Sequence, residues 1–440
     1  MLLLVSIFVS PPMMHSRGSG FFDFSFTTLT AGSLLSAILF FSVPSKGIEW
    51  PSFVLAIFLL IDVIIIAATE RLRFEEGWVG IASVVWATLM AIYLILVERV
   101  VAWGKKEEEE RLTGRSETRR TLKEWLAVFS SSIIMIVYIA IVFLLTCTLI
   151  LRARDASLAP PGDRYFVDND KYQVHLACMG TPSSEPTILV EAGEQPFEDT
   201  FDDWVYNAYQ NGTISRYCYW DRPGVAWSDN APSPFSAGMA ADSLSEALAQ
   251  ADEQGPWILV SAGIGGIYSR IFSSRHVNDV HGIFLIDAMH EDLLYRIASP
   301  GQGFMLWLRG ILSPLGWNRL PAALFRGRTR EDRVYGKSSY QGGKYIKAKL
   351  QENLVAGSFT KREIFQARNI QRKDVPLVVV SSDVQCRSDE EWCKKQEDLT
   401  TLTDRLISWD RVGKAPHRVW ETLEGREVLE RRLGELVKLG

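Results

Sequence analysis

The sequence has little cysteine and almost no net charge. Five cysteines in 440 residues are too few for a small scaffold that depends on disulfides. A net charge of -5 gives no electrostatic support for a nucleic-acid partner. Hydrophobic residues make up 47% and charged residues 22% of the chain, which excludes wholesale disorder.

Motifs for cofactors are missing as well. The sequence contains no P-loop or dinucleotide fingerprint, and its histidines are too dispersed in sequence to form a zinc-ligand set. The glycine pair at 301 and 303 lacks a third glycine and a preceding strand, and is therefore interpreted as a turn. We expect neither a cofactor nor a metal.

Long apolar runs are concentrated in residues 25–151. Four segments there are long and apolar enough for a membrane-spanning helix, which typically needs about 17–25 mostly apolar residues. They are 25–45, 51–69, 77–97 and 125–151. A soluble helix as long as the fourth would show a polar stripe, and this one does not. The sequence predicts an N-terminal segment at 1–24, a four-helix transmembrane region at 25–151 and a linker at 152–164.

Loop charge predicts the orientation of these helices. The loop between the second and third segments has only Arg71 and Arg73 as basic residues. The loop between the third and fourth is much richer, with Lys105, Lys106, Arg111, Arg115, Arg119, Arg120 and Lys123. The positive-inside rule places the richer loop in the cytosol. Everything after Arg152 is then expected to be lumenal or extracellular.

Asp62 is the one ionisable residue inside a predicted span. Such residues often mark ion or proton pathways. No second charge lies within the predicted spans, so a helix–helix hydrogen bond is the favoured interpretation of Asp62. A transport-associated protein is kept as a third hypothesis.

The pattern changes after the linker to short apolar runs that alternate with amphipathic stretches. Two helices are predicted at 237–251 and 425–439. Strands are predicted at 173–179, 186–191, 215–220, 256–261, 283–287 and 375–381. Near-continuous apolar strands that alternate with helices indicate a mostly parallel α/β sheet covered on both faces. The predicted domain spans residues 165–440.

Three motifs in this half resemble the α/β-hydrolase superfamily. Residues 219–229 (YWDRPGVAWSD) resemble the loop after its fourth strand. Residues 160–162 with 175–180 (HLACMG) resemble its entry strands, and 286–290 (IDAMH) the end of its sixth strand. The resemblance covers a little under two-thirds of the chain and implies a mostly parallel sheet with a lid insertion. The multi-pass half before it looks like that of certain uncharacterised fungal membrane proteins.

The resemblance also locates the position of the catalytic nucleophile. The family places G-x-S-x-G on a sharp turn between a strand and a helix. The aligned run here is 261–266 (SAGIGG), with Gly263 at its centre. Glycine has no side-chain atom that can attack a carbonyl carbon, so the usual acyl-enzyme cannot form. Ser261, two residues upstream, is the alternative nucleophile.

Other site positions implied by the family are partly retained. His417 stands where the family has its histidine. Asp383 stands at the usual acid position, and Asp287 is the alternative acid. The oxyanion donors map to the backbone N–H groups of Ile264 and Glu194. A Glu194 carboxylate would oppose an oxyanion unless it points away.

Residues 291–374 lie where the family inserts its lid. Apolar residues are dense between 304 and 325. They are consistent with an amphipathic helix that faces lipid or an acyl chain. They are equally consistent with a segment that packs over the mouth of the pocket.

These observations predict an integral, multi-pass membrane protein that carries a pseudo-hydrolase domain with a binding or scaffolding role. The bilayer is the expected partner, and a lipid-like or apolar small molecule is the candidate pocket ligand. The alternative is an active lipid or ester hydrolase that uses either a displaced serine or water activated by His417 and Asp383. The residue at position 263 separates these two hypotheses.

Glycosylation and disulfide formation are expected only if the α/β domain lies in a lumenal or extracellular compartment. Asn211 begins an N-x-T glycosylation sequon. Cys386 and Cys393 lie in one short loop and are expected to pair in an oxidising compartment. Cys178 and Cys218 form a weaker candidate pair, because the family places their strands side by side.

Overall fold

The computed structural model describes Val5 and residues 9–11, 14–115, 120–183 and 185–439. Arg119 of the basic loop and most of the first eight residues lie outside this set. The chain divides into two compact units. One is made of residues 11–158 and 309–330, and the other of 159–308 and 331–439, with the N-terminal residues divided between them.

Helices and strands follow one another in a simple order. The first-unit helices that precede the sheet are α1 Phe21–Phe40, α2 Lys46–Ala68, α3 Glu70–Thr113 and α4 Leu122–Asp155. The strands are β1 Asp163–Val167, β2 Tyr172–Met179, β3 Thr187–Glu191, β4 Tyr217–Trp220, β5 Trp257–Ala262, β6 Val280–Ile286, β7 Leu377–Ser382 and β8 Leu406–Val412. The remaining α-helices are α5 Asp202–Gln210, α6 Ala237–Gln250, α7 Gly265–Arg275, α8 Pro300–Leu312, α9 Arg319–Phe325, α10 Arg330–Val334, α11 Gly343–Val355, α12 Lys361–Ile370, α13 Asp383–Ser388, α14 Glu390–Leu399 and α15 Leu423–Val437.

Helices α1 to α4 are long and apolar enough to cross a membrane. Only 33–39% of the most apolar stretch of each helix is buried. Large apolar side chains therefore face outward, as they do on proteins that contact lipid. The prediction of a membrane protein with four spanning helices is confirmed.

The helices do not begin and end where the apolar runs do. Helix α1 begins four residues before the predicted 25–45 span and ends at Phe40. Helix α3 has 44 residues and extends beyond 77–97 on both sides, with non-helical backbone at Gly77 (φ 66°, ψ -170°). Glu, Arg and Lys are good helix formers, so a helix continues through charged residues at which an apolar run stops.

The second unit is built on one eight-stranded sheet. Its strand order is β1-β2-β4-β3-β5-β6-β7-β8. Strand β2 is antiparallel to β1 and β4, and every other pair is parallel. This order is that of the α/β-hydrolase fold, and the predicted fold class is confirmed.

Helices cover both faces of the sheet. Residues of α6, α7 and α12 form one hydrophobic core with the strands, and residues of α5 and α15 form the other. Strands β3, β5 and β7 are therefore buried along their whole length, which accounts for their continuous apolar sequences.

The segment between β6 and β7 holds α8 to α12, in the place of the predicted lid. The two compact units divide this segment. Residues 309–330 group with the membrane helices, and the rest of the segment groups with the sheet.

Candidate active site

The turn after β5 has the geometry of a nucleophile elbow. Gly263 follows β5 directly and has a φ of +48°, and α7 begins two residues later. A Cβ on Gly265 would lie 2.6 Å from the carbonyl oxygen of Glu191, and one on Gly266 would lie 2.7 Å from the Cβ of Ala288. The glycines at 265 and 266 therefore allow the helix to approach the sheet closely.

The space beside Gly263 is occupied by a carboxylate. A Cβ built on Gly263 would lie 2.5 Å from Oε2 and 2.7 Å from Oε1 of Glu194. No side chain of any kind fits at position 263 unless Glu194 moves. Glu194 thus stands in the position at which the family has the side chain of its nucleophile.

Glu194 also accepts a hydrogen bond from the backbone N–H that acyl transfer would need as an oxyanion donor. The backbone N–H of Ile264 donates a hydrogen bond to Glu194 Oε1 (3.1 Å). In the family this N–H stabilises the oxyanion. The Glu194 carboxylate therefore points into the site. The possibility that it points away, left open by the sequence, is wrong.

His417 links Glu194 to a buried acid. Its Nδ1 is 2.6 Å from Asp287 Oδ2, and its Nε2 is 3.5 Å from Glu194 Oε2. Asp287 is fully buried, and its Oδ1 accepts hydrogen bonds from the backbone N–H of Ser382 (3.1 Å) and from Trp392 Nε1 (3.0 Å). The structure therefore brings Asp287, His417 and Glu194 into one chain of contacts.

Asp383, the first choice of acid from the sequence, is not the partner of His417. It is the first residue of α13, and its carboxylate forms an ion pair with Arg387 (2.7 Å), one turn along that helix. Asp287 instead follows the end of β6, which lies between β5 and β7 in the sheet. The alternative acid thus takes the position against the histidine.

Ser261, the alternative nucleophile, is buried in β5 and has no exposed surface. Its hydroxyl accepts a hydrogen bond from Ser269 of α7 (2.8 Å). Its hydrogen-bond partner is therefore on the helix behind the elbow, and not His417.

The electrostatics of the site favour a charged histidine. Burial alone would lower the pKa of His417, but pairing with Asp287 and Glu194 raises it to about 10. Burial would raise the pKa of Glu194, but pairing with His417 and with the Ile264 N–H holds that pKa well below its usual range. A pKa raised this far favours the imidazolium form of His417 at neutral pH, and an imidazolium cannot accept a proton as a general base.

A second charged network, which the sequence did not reveal, lies next to the elbow. Arg222 is 3.5 Å from Glu191, and Glu352 accepts hydrogen bonds from Lys349 (2.7 Å) and Tyr268 (3.3 Å). Two cavities lined in part by these residues have volumes of about 10 Å³ and 20 Å³, enough for a single water molecule. Polar side chains thus fill this part of the interior.

Two clusters among the described residues have residue types that could hold a metal ion. In one, Cys178 and Cys218 lie beside Glu253 but are joined in a disulfide. In the other, ligand atoms of His175, Glu198 and Asp221 lie within 4.8 Å of one another. Both ring nitrogens of His175 are already engaged, however, one by Asp221 Oδ2 at 2.8 Å and the other by the carbonyl oxygen of Pro161. We interpret this cluster as a buried hydrogen-bonded group and assign no metal to it.

The residues whose state depends on the compartment are two joined cysteine pairs and one exposed asparagine. Cys386 and Cys393 are joined by a disulfide between α13 and α14, with Cα atoms 4.5 Å apart. Cys178 and Cys218 are joined across β2 and β4. Asn211 is exposed after α5, and its amide donates to Glu430 (2.8 Å).

Comparisons with known proteins agree with this architecture. Residues 1–178 match a region of unknown function, DUF2417. An uncharacterised protein of Schizosaccharomyces pombe is 35% identical over 99% of this chain and 87% of its own length. An uncharacterised vacuolar membrane protein of Saccharomyces cerevisiae is 27% identical over 73% of this chain, which spans 60% of that protein.

Solved structures with a similar fold cover the second unit. An α/β-hydrolase enzyme from a deep-sea metagenome library is 11% identical over 63% of this chain and 98% of its own, with a TM-score of 0.48. The enol-lactonase from Burkholderia xenovorans is 11% identical over 63% of this chain and all of its own, with a TM-score of 0.44.

Proposed function

We propose that this chain, a membrane protein with an α/β-hydrolase fold, is a pseudo-hydrolase. The chain belongs to the family of the uncharacterised S. pombe protein. Its α/β domain serves as a binding or scaffolding module that the four helices anchor in a membrane. The S. cerevisiae relative is named as a vacuolar membrane protein, and we propose the vacuolar membrane for this chain too.

The Glu194 carboxylate beside Gly263 is the observation that carries this proposal. Acyl transfer needs a nucleophilic atom, a base and a free oxyanion donor. Gly263 supplies no atom, His417 is held as an imidazolium, and the Ile264 N–H is already bonded to Glu194. The site therefore lacks the nucleophile, and contacts within it occupy the base and the oxyanion donor. These observations favour a protein that does not hydrolyse esters over a hydrolase with a non-standard site.

The proposal also favours a scaffold over a small-molecule binder. The two cavities beside the site hold about 10 Å³ and 20 Å³, whereas sites for small molecules usually have about 300–1,000 Å³. Neither of these two cavities can hold an acyl chain, and the surface of the domain is the proposed contact region.

A serine-reactive probe tests the loss of chemistry. The full-length protein in detergent or nanodiscs is expected to show no fluorophosphonate labelling, because no activated hydroxyl lies at the elbow. Labelled protein would be digested and the modified residue identified by mass spectrometry. Labelling mapped to Ser261 would contradict the proposal and favour an active hydrolase with a displaced serine.

The side of the membrane on which the α/β domain lies is a separate proposal. Loop charge supports a lumenal domain, and so do the paired cysteines, since disulfides persist in oxidising compartments. We expect a mass shift at Asn211 that endoglycosidase removes and that Asn211→Gln abolishes. Free, alkylatable Cys386 and Cys393 in native membranes would contradict a lumenal domain.

A further inference from the structure

Five carboxyl side chains are buried in the first unit. They are Asp23 of α1, Asp62 of α2, Glu76 and Glu98 of α3, and Asp155 at the end of α4, each no more than 9% exposed. Only Asp62 lies within the spans predicted from sequence. Acidic residues at membrane depth are costly and often belong to ion or proton pathways. The bundle therefore contains further buried acids besides Asp62.

These carboxyl groups are spread along the bundle. A Cβ on Gly80 would lie 2.7 Å from Asp23 Oδ1 and 3.3 Å from Glu76 Oε2, so the carboxyl groups of Asp23 and Glu76 are near the same point. Glu98 stands 18 residues further along α3, which corresponds to about 27 Å of helix. Asp62 lies six residues before the end of α2, on the Glu76 side of the bundle.

Buried hydroxyl groups lie between these acids. Each of the four helices contributes one or more, namely Thr30, Ser33, Ser52, Thr88, Ser131 and Thr146. Thr30, Ser33, Thr88 and Thr146 donate their hydroxyl hydrogens to carbonyl oxygens of their own helices (2.8–2.9 Å). A hydroxyl oxygen that donates one bond can still accept others. The interior of the bundle therefore offers polar atoms along its length.

A small cavity extends this series to Glu98. It has a volume of about 20 Å³, enough for one water molecule. Its lining is mostly apolar, with polar side chains from all four helices, namely Ser33, Ser36, Ser52, Glu98 and Ser131. These side chains place Glu98 close to hydroxyl groups in the middle of the bundle.

Asp62 is fully buried and lies against the Thr146 hydroxyl of α4, the helix–helix contact favoured from sequence. No cationic side chain among the residues that the structure describes pairs with it. An ionised carboxylate without a partner is too costly to bury and takes up a proton instead. Asp62 is thus a carboxylic acid with a proton to give.

We propose that the bundle formed by α1 to α4 conducts protons, with Asp62 as the essential relay between Glu98 at one end and, at the other end, Asp23 beside the ion pair of Glu76 with Arg152 (2.5 Å). Asp62 gives its proton to one side and takes another from the opposite side, so one H⁺ crosses for each cycle. No bond other than O–H breaks or forms. The membrane potential or a pH gradient supplies the driving force. This activity is independent of the proposed loss of hydrolysis.

Proton flux can be measured with the full-length chain in liposomes that contain a trapped pH-sensitive dye. A potassium gradient with valinomycin sets the membrane potential. The wild type is expected to change the internal pH at least several-fold faster than protein-free liposomes. Asp62→Asn and Glu98→Gln are expected to reduce this rate to the protein-free level, because neither amide can release a proton.

Two controls separate the relay from general damage to the bundle. Asp62→Glu keeps a titratable group and is expected to retain part of the flux. Glu108→Gln removes an exposed acid from α3, the helix of Glu98, and is expected to leave the rate unchanged. Equal rates for the wild type, Asp62→Asn and Glu98→Gln would overturn the proposal. So would a wild-type rate equal to that of protein-free liposomes, or flux carried by Na⁺ in place of H⁺.

Discussion

The double variant Gly263→Ser/Glu194→Ala is expected to react with fluorophosphonate probes, whereas Gly263→Ser alone is not. In the single variant the new Cβ meets the Glu194 carboxylate at 2.5 Å. Removal of Glu194 opens this space and frees the Ile264 N–H. It also removes one of the two carboxylates that keep His417 protonated.

The expected difference between these two variants is large. Loss of a single oxyanion donor typically costs about 10²–10³ in the rate of acyl transfer, and the single variant lacks both that donor and a base. We therefore expect at least about 10²-fold faster labelling in the double variant. The serine introduced at a positive φ costs roughly 1–3 kcal/mol, so thermal unfolding of each variant is measured alongside.

Glu194→Ala is the matched control, since it opens the site without supplying a nucleophile. It is expected to stay unlabelled. Labelling of Gly263→Ser alone would show that Glu194 does not block the site. An unlabelled double variant that is still folded would show that Asp287 and His417 are not aligned for catalysis.

Much of the fold follows from local sequence patterns. The apolar strands and the loop at 219–229 predict the sheet, because buried parallel strands require continuous apolar residues. The family pattern also locates Gly263, since a strand, a tight turn and a helix must follow one another there. These features depend on neighbours in the chain, which a sequence displays directly.

The parts of the site that the sequence did not reveal depend on side-chain direction. Asp383 and Asp287 both follow strands, and only the structure shows Asp383 turned along α13 to Arg387. The direction of the Glu194 carboxylate likewise depends on His417, more than 200 residues away in the sequence. No local pattern encodes such a contact.

The buried acids of the membrane helices were missed for a related reason. Asp23, Glu76 and Glu98 stand one or two residues outside the apolar runs at 25–45 and 77–97. A search for apolar residues ends a segment where a charge appears. The helices continue through these charges, because the fold buries them inside the bundle.

His417 is expected to stay protonated at neutral pH and to lose its proton near pH 10, against an ordinary value of about 6.5. Because folding raises this pKa, the protonated form stabilises the folded state. That contribution is complete below about pH 6.5 and is lost as the pH rises through about 10. Glu194→Gln removes one of the two paired carboxylates and so lowers the folded-state pKa of His417, and the loss of stability is expected to be smaller and to be complete at a lower pH. Chemical denaturation of both proteins over this pH range checks the direction.

The protonation state of His417 tests most directly whether an internal carboxylate occupies the catalytic position. The chain has six histidines, so selective ¹⁵N-histidine labelling of the full-length protein in nanodiscs gives few signals. His417→Gln identifies the one that belongs to His417. The account predicts two protonated ring nitrogens at pH 7, a pKa near 10 and a lower pKa in Glu194→Gln. A neutral His417 ring at pH 7 with an ordinary pKa of about 6.5, unchanged by Glu194→Gln, would contradict it.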